Sequence, residues 1–157
     1  VTRMSLMCGV AGAGKSTYAR GLEARGWSRF SIDREAFAAG LTDAASVPPE
    51  VAADIRGRQR AVIAEAIRAG RDVVVDYSFW SRTERDDYRA LGHAEGADVE
   101  VVYFRAPEEV LRRRLSSRRG EHADDFVVDA SLLDRFLAGF EPPARDETDV
   151  RVIDVSG

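Results

Sequence analysis

Apolar positions change period repeatedly along this chain, from short runs that suit strands to a spacing of three and four that suits helices. Met4 to Cys8 is an apolar run ending in a glycine-rich turn, and Ser16 to Arg25 has helical spacing stopped by Gly26. This predicts strand, loop, helix. A second short strand, around Arg29 to Ile32, ends at Asp33; Glu35 to Ala39 makes a helical turn, and the turn residues of Gly40 to Pro49 read as a loop. Glu50 to Ala69, with Pro49 at its start and Gly70 after its end, is expected to be the longest helix. Val73, Val74 and Val75 form a β-branched run ending at Asp76, the pattern of a strand buried on both faces. Ser81 and Glu84 match a capping box for a helix from Arg82 to about Glu95, closed by Gly96. Val99 to Phe104 is the fourth strand. Pro107 opens a helix running through Arg112, Arg113 and Arg114 to Ser117, and the polar stretch from Arg118 to Asp125 interrupts it. A helix from Ala130 to Phe140 stops at Pro142 and Pro143, and Val150 to Val155 is the last strand.

Strands alternating with helices imply an α/β fold with a parallel sheet and right-handed crossovers. Ligands of such sheets bind beyond the carboxyl ends of the strands. Cys8 leading into Gly9, Asp33, Asp76 and Arg105 are expected there. The 157 residues, 45% hydrophobic and 32% charged, suit one soluble domain spanning 1–157 with a core of its own. No apolar run approaches the roughly 20 residues of a membrane helix. No charged-then-apolar leader opens the chain, and the single cysteine, Cys8, excludes an internal disulfide. A cytoplasmic protein without a membrane partner is expected. A net charge of −4 and a pI near 5.3 argue against coating nucleic acid by bulk electrostatics. The 23 basic residues are 22 arginines and one lysine, Lys15, and asparagine is absent. A GC-rich genome accounts for that bias but not for where the lysine sits.

Gly9-Val10-Ala11-Gly12-Ala13-Gly14-Lys15-Ser16 fits the P-loop pattern, with an apolar strand before it and a helix after it. Glycines permit a turn whose backbone N–H groups point at phosphate oxygens, and the helix start adds its partial positive charge. Gly12, Ala13, Gly14, Lys15, Ser16 and Thr17 are thus the nucleotide-binding candidates. Lys15 would reach the β- and γ-phosphates, and Ser16 would ligate Mg²⁺, a hard ion that prefers oxygen.

At this point the chain resembles the P-loop kinases of small substrates, the AAA-33 or zeta-toxin-like group with gluconate kinases, chloramphenicol phosphotransferases and the kinase domain of polynucleotide kinase. Beyond the P-loop the resemblance rests on Ser31-Ile32-Asp33, Val74-Val75-Asp76-Tyr77-Ser78-Phe79, the arginine-rich helix before a lid, and Phe140-Glu141-Pro142-Pro143. It covers nearly the whole chain. The fold it implies is a nucleoside-kinase-like P-loop NTPase, a three-layer sandwich with strand order 2-3-1-4-5 and a helical lid at about 112–128. Its polynucleotide kinases carry an arginine three positions after the catalytic aspartate. Here that position is Ala36, which argues against a nucleic-acid substrate.

Phosphoryl transfer needs positioning, charge neutralisation and a group to take the hydroxyl proton. The resemblance places that base at Asp33, which also reads as an N-cap of the short helix after it. Asp76 could hold Mg²⁺, bind substrate, or make a structural hydrogen bond to a loop. Arg85 is a candidate substrate contact, or a solvated helical arginine. Arg114 and Arg118, four apart, share a face if their helix persists, and would act on the phosphates and the nucleotide; Arg112, Arg113 and Arg119 are alternatives. Trp80 leads the aromatic candidates for an acceptor pocket, ahead of Phe37, Tyr77, Phe79 and Phe126, with core packing as the alternative for each. His93 and His122 are too isolated for a metal site.

The leading expectation is a Mg²⁺- and ATP-dependent kinase acting on a hydroxyl of a small molecule. ATP is preferred to GTP because the Asn-Lys-x-Asp guanine signature cannot occur without asparagine. A polynucleotide or nucleoside 5′-hydroxyl kinase and a non-catalytic ATP-binding module are the alternatives.

Overall fold

The computed structural model describes residues 1–41 and 47–156. Residues 42–46, within the loop expected from Gly40 to Pro49, lie outside the described residues. Five strands, β1 (Arg3–Cys8), β2 (Ser28–Phe30), β3 (Val73–Val75), β4 (Asp98–Arg105) and β5 (Val150–Asp154), form one sheet in the order β2-β3-β1-β4-β5. Every pairing is parallel. The helices are α1 (Lys15–Ala24), α2 (Ile32–Ala38), α3 (Pro49–Arg68), α4 (Arg82–Ala94), α5 (Glu108–Ser116) and α6 (Ala130–Gly139).

The period of two in the strands sorts the core onto the two faces of the sheet. Met4, Leu6, Cys8, Val73, Val75 and Val101 meet Ile63 and Ile67 of α3 and Tyr88 of α4 on one face. Met7, Val74, Val102 and Phe104 meet Ala19 of α1, Leu111 and Leu115 of α5, and Leu132 and Leu133 of α6 on the other. Burial of β3 on both faces explains its unbroken valine run, since no position on it faces water. A smaller cluster joins Ala36, Ile55 and Phe126, with Phe37 packed against it. No helix among the described residues is long and apolar enough to cross a membrane.

Two local expectations shift. The second strand closes at Phe30, and α2 starts at Ile32 because the Ser31 hydroxyl accepts a hydrogen bond from the Arg34 N–H at 3.1 Å. Ser31 is therefore the N-cap, and Asp33 sits in the first helical turn rather than at a strand end. Likewise α5 stops at Ser116, so Arg118 lies beyond the helix that carries Arg114. The first part of the expected lid belongs to that helix, which Val110, Leu111 and Leu115 anchor in the core.

Candidate active site

Backbone geometry at the end of β1 forms the phosphate loop. Gly14 is the N-cap of α1 with φ +103°, a left-handed conformation that favours glycine, and no side chain caps the helix there. The first turn of α1 also contains no acid, so its N–H groups and partial positive charge stay available for an anion. Gly12, at φ +89°, backs onto Leu115, and a Cβ there would come within 3.1 Å of that side chain. Gly9 donates its N–H to the Ser78 carbonyl at 3.0 Å, tying the loop to the segment after β3.

Beyond the strand ends lies a cleft of about 1030 Å³, lined by the loop from Ala11 to Thr17 and by Asp33, Asp76, Trp80, Arg114 and Arg118, among others. The Lys15 ammonium is folded onto the Val10 carbonyl at 3.0 Å and buried. Desolvation lowers its pKa, the charges of Asp76 and Asp33 oppose the shift, and Arg118 adds to it. Arg114 donates to the Gly12 carbonyl at 3.2 Å, which aims its guanidinium across the loop. Arg118 reaches the cleft from beyond α5 and donates to the Phe126 carbonyl at 3.3 Å. Position, rather than a shared helical face, brings these two arginines together.

Asp33 opens onto the cleft but is surrounded by its walls. Desolvation, then the negative charge of Asp76, pushes its carboxyl up to about 6, although Lys15 and Arg118 pull the other way. A carboxyl poised there can take a proton near neutrality. Asp76 accepts, all on Oδ2, the Ser16 hydroxyl at 3.0 Å and Arg29 Nε and Nη2 at 3.1 and 2.6 Å. Arg29 in turn binds Asp124 at 2.7 Å, and Arg20 pairs with the same acid. No group of three or more His, Cys, Asp or Glu side chains suited to a metal occurs among the described residues. Ser16 beside Asp76 nevertheless fits Mg²⁺, which commonly takes one or two protein oxygens together with phosphate and water.

Arg85 is not brought into the cleft. Its side chain is fully buried: Nε and Nη2 pair with Glu147 at 2.8 and 3.1 Å, while Nη1 donates to the Phe79 and Glu141 carbonyls, both at 2.9 Å. Glu147 lies 62 residues away in sequence, out of reach of any local pattern. Phe79 is the one non-glycine residue with positive φ, +49°, among those described. Arg85 thus holds a strained segment that carries the cleft wall. Trp80, next along, packs its ring on Phe136 at 4.7 Å and lines the cleft. Phe126 is core and Phe37 packs against it, whereas Tyr77 and Phe79 are buried residues at the cleft floor. Sequence reasoning passed over Arg29, Asp124 and Arg56. An arginine within a short strand beside Phe30 is the one local hint of a buried partner.

Sheet order, phosphate loop and cleft define a kinase-like P-loop NTPase. The sequence matches the AAA_33 family, described as an AAA domain, over residues 4–143, and the chain belongs to that family. No curated protein matches the sequence. A sugar kinase from Janibacter sp. HTCC2649 is 28% identical, with 98% of this chain and 86% of that one covered and a TM-score of 0.70. A gluconokinase from Sinorhizobium meliloti 1021 is 26% identical, with coverage of 99% and 83% and a TM-score of 0.67. The APS kinase of Mycobacterium tuberculosis, solved with AMPPNP and APS, shares the fold at 21% identity, with coverage of 99% and 90% and a TM-score of 0.61.

Proposed function

We propose that the protein is an ATP-dependent phosphotransferase that moves the γ-phosphoryl group to a hydroxyl of a small molecule. The observation that carries this reading is the meeting, in one cleft, of the Lys15 phosphate loop with Asp33, a carboxyl raised to about 6. The acceptor oxygen attacks the γ-phosphorus while Asp33 takes the hydroxyl proton; the bond from phosphorus to the bridging oxygen breaks, and ADP leaves. Little else is asked of the protein than alignment and charge neutralisation. Lys15 and Arg114 supply the positive charge over the phosphates, and Arg118 lies near enough to act on both the transferring group and Asp33. Ser16, backed by Asp76, would hold Mg²⁺, which when bound offsets phosphate charge. The segment beyond α5, residues 117–128, would act as the lid, and Trp80 as an acceptor wall. The sugar kinase and gluconokinase relatives support a small-molecule acceptor.

Acceptor-stimulated ADP release across a panel of hydroxylated metabolites, with mass spectrometry of the product, tests the proposal. A product heavier by one phosphoryl group supports it. ATP binding without transfer to any acceptor would point instead to a non-catalytic module, and salt-sensitive phosphorylation of oligonucleotide ends to a nucleic-acid kinase.

A further inference from the structure

Five basic side chains line the cleft: Lys15, Arg20, Arg56, Arg114 and Arg118. Lys15, Arg114 and Arg118 serve the phosphate loop in the reading above, and Arg20 is committed to Asp124. Arg56 has no such commitment. It stands on α3, a helix that packs on the face of the sheet opposite α1 and α5, and it lines the cleft with Asp33, Tyr77, Trp80 and Glu84. Its Nε is buried without a hydrogen-bond partner. The guanidinium carbon lies 5.5 Å from the centre of the Tyr77 ring, so an aromatic face supports it from one side. Its ion-pair partner is Glu84, at 3.7 Å with the two side chains 42% and 30% exposed. That separation exceeds hydrogen-bond reach, and so open a pair holds a guanidinium only weakly.

We infer that Arg56 anchors an anionic group of the acceptor, so that the acceptor is a hydroxylated carboxylate or phosphate ester rather than a neutral polyol. The inference rests on the phosphotransferase reading for the identity of this side of the cleft. Glu84 would repel an anion there, and Arg56 is the cation paired with it, while Lys15 and Arg118 act on Asp33. Its planar fork matches two oxygens of a carboxylate or phosphate at once, a geometry that a single hydroxyl cannot use. Glu84 then accepts hydrogen bonds from the hydroxyls of the bound acceptor. A neutral polyol would leave the guanidinium as it is, its charge compensated only across 3.7 Å by a half-open pair.

The test is calorimetric titration of AMPPNP-loaded protein with D-gluconate and D-glycerate, and with glycerol 3-phosphate, each against its neutral counterpart, D-glucitol or glycerol. The carboxylate and phosphate arms tell the two kinds of anion apart. At least one anion is expected to bind at millimolar concentration, about tenfold or more tighter than its neutral counterpart. Arg56→Gln should lose about 10- to 100-fold of that affinity while keeping its affinity for AMPPNP. Glu84→Gln should retain or tighten it. Equal binding of the neutral compounds, no binding of any anion, or an Arg56→Gln variant that binds anions unchanged overturns the inference. Equal losses of thermal stability in Arg56→Gln and Glu84→Gln with no change in anion affinity would reduce Arg56 to a partner of Glu84, and also overturn it. Arg56-dependent binding of an anion that the protein does not phosphorylate with ATP also overturns the inference, because that anion is then not the acceptor, whereas the phosphotransferase reading fails only if no compound of the acceptor panel is phosphorylated.

Discussion

Arg29 and Asp76 form a buried ion pair in which two guanidinium nitrogens converge on one carboxylate oxygen, the same oxygen that accepts the Ser16 hydroxyl. The edge strand β2 is thereby tied to the phosphate loop. With side chains 1% and 3% exposed, neither charge can turn to water if the other is removed. Arg29→Ala is expected to lower stability by about 3–5 kcal/mol in urea unfolding, the usual cost of stranding one member of such a pair. Arg29→Lys should recover only part of this, because a point charge does not reproduce the fork.

Lys15 shows the opposite balance between stability and function. Burial disfavours its ammonium more than Asp76 and Asp33 favour it, so the folded protein without nucleotide carries a cation it holds at a cost. Lys15→Met should melt at the same temperature as the parent protein or higher, yet lose nucleotide-dependent stabilisation and turnover. Thermal unfolding with and without ATP separates the two effects.

Asp33 sets the expected pH profile. Its carboxyl is raised to about 6, so below that pH it is protonated and cannot accept the acceptor's proton. Turnover should rise as pH climbs through about 6 and level off above it. A rate independent of pH across that range, with the chemical step limiting, would count against Asp33 as the base.

Arg85 and Glu147 lock the segment between β3 and α4 to the chain that leads into β5. Arg85→Ala should cost about 3–5 kcal/mol, whereas Arg112→Ala, whose partners Glu108 and Asp134 are exposed, should cost less than about 1 kcal/mol. Burial pushes the Glu147 carboxyl up, but the bonds from Arg85, the Ala144 N–H and Arg89 outweigh it and hold the group near 2, below the ordinary 4.5. A depressed carboxylate stabilises the fold fully above its unfolded pKa, and the contribution disappears as pH falls from about 4.5 toward about 2. Acid titration of stability should show that loss in the parent protein and much less of it in Glu147→Gln.

The legible parts of this chain were those written locally. The phosphate loop is eight consecutive residues, and the fully buried β3 announces itself as three valines. The Ser81 hydroxyl accepts from the Glu84 N–H at 3.1 Å, as the capping pattern predicts. The unread parts depend on partners distant in sequence. Whether Arg85 faces the cleft is decided by Glu147, and the burial of Arg29 by Asp76 and Asp124, 47 and 95 residues away. Asp33 lies two residues past the cap, in the first turn of α2, because Ser31, not Asp33, satisfies the start of that helix. Arg114 and Arg118 reach one cleft although the helix between them ends, since the turn beyond Ser116 curls Arg118 back: its N–H still donates to Leu115 at 3.2 Å.

The central claim, proton transfer to Asp33 beside a Lys15 phosphate loop, is tested most directly by Asp33→Asn. With an acceptor that stimulates ADP release in the parent protein, the variant should bind ATP with unchanged affinity and turn over slower by a factor on the order of 10² to 10⁴. Full turnover of Asp33→Asn at saturating acceptor would contradict the account.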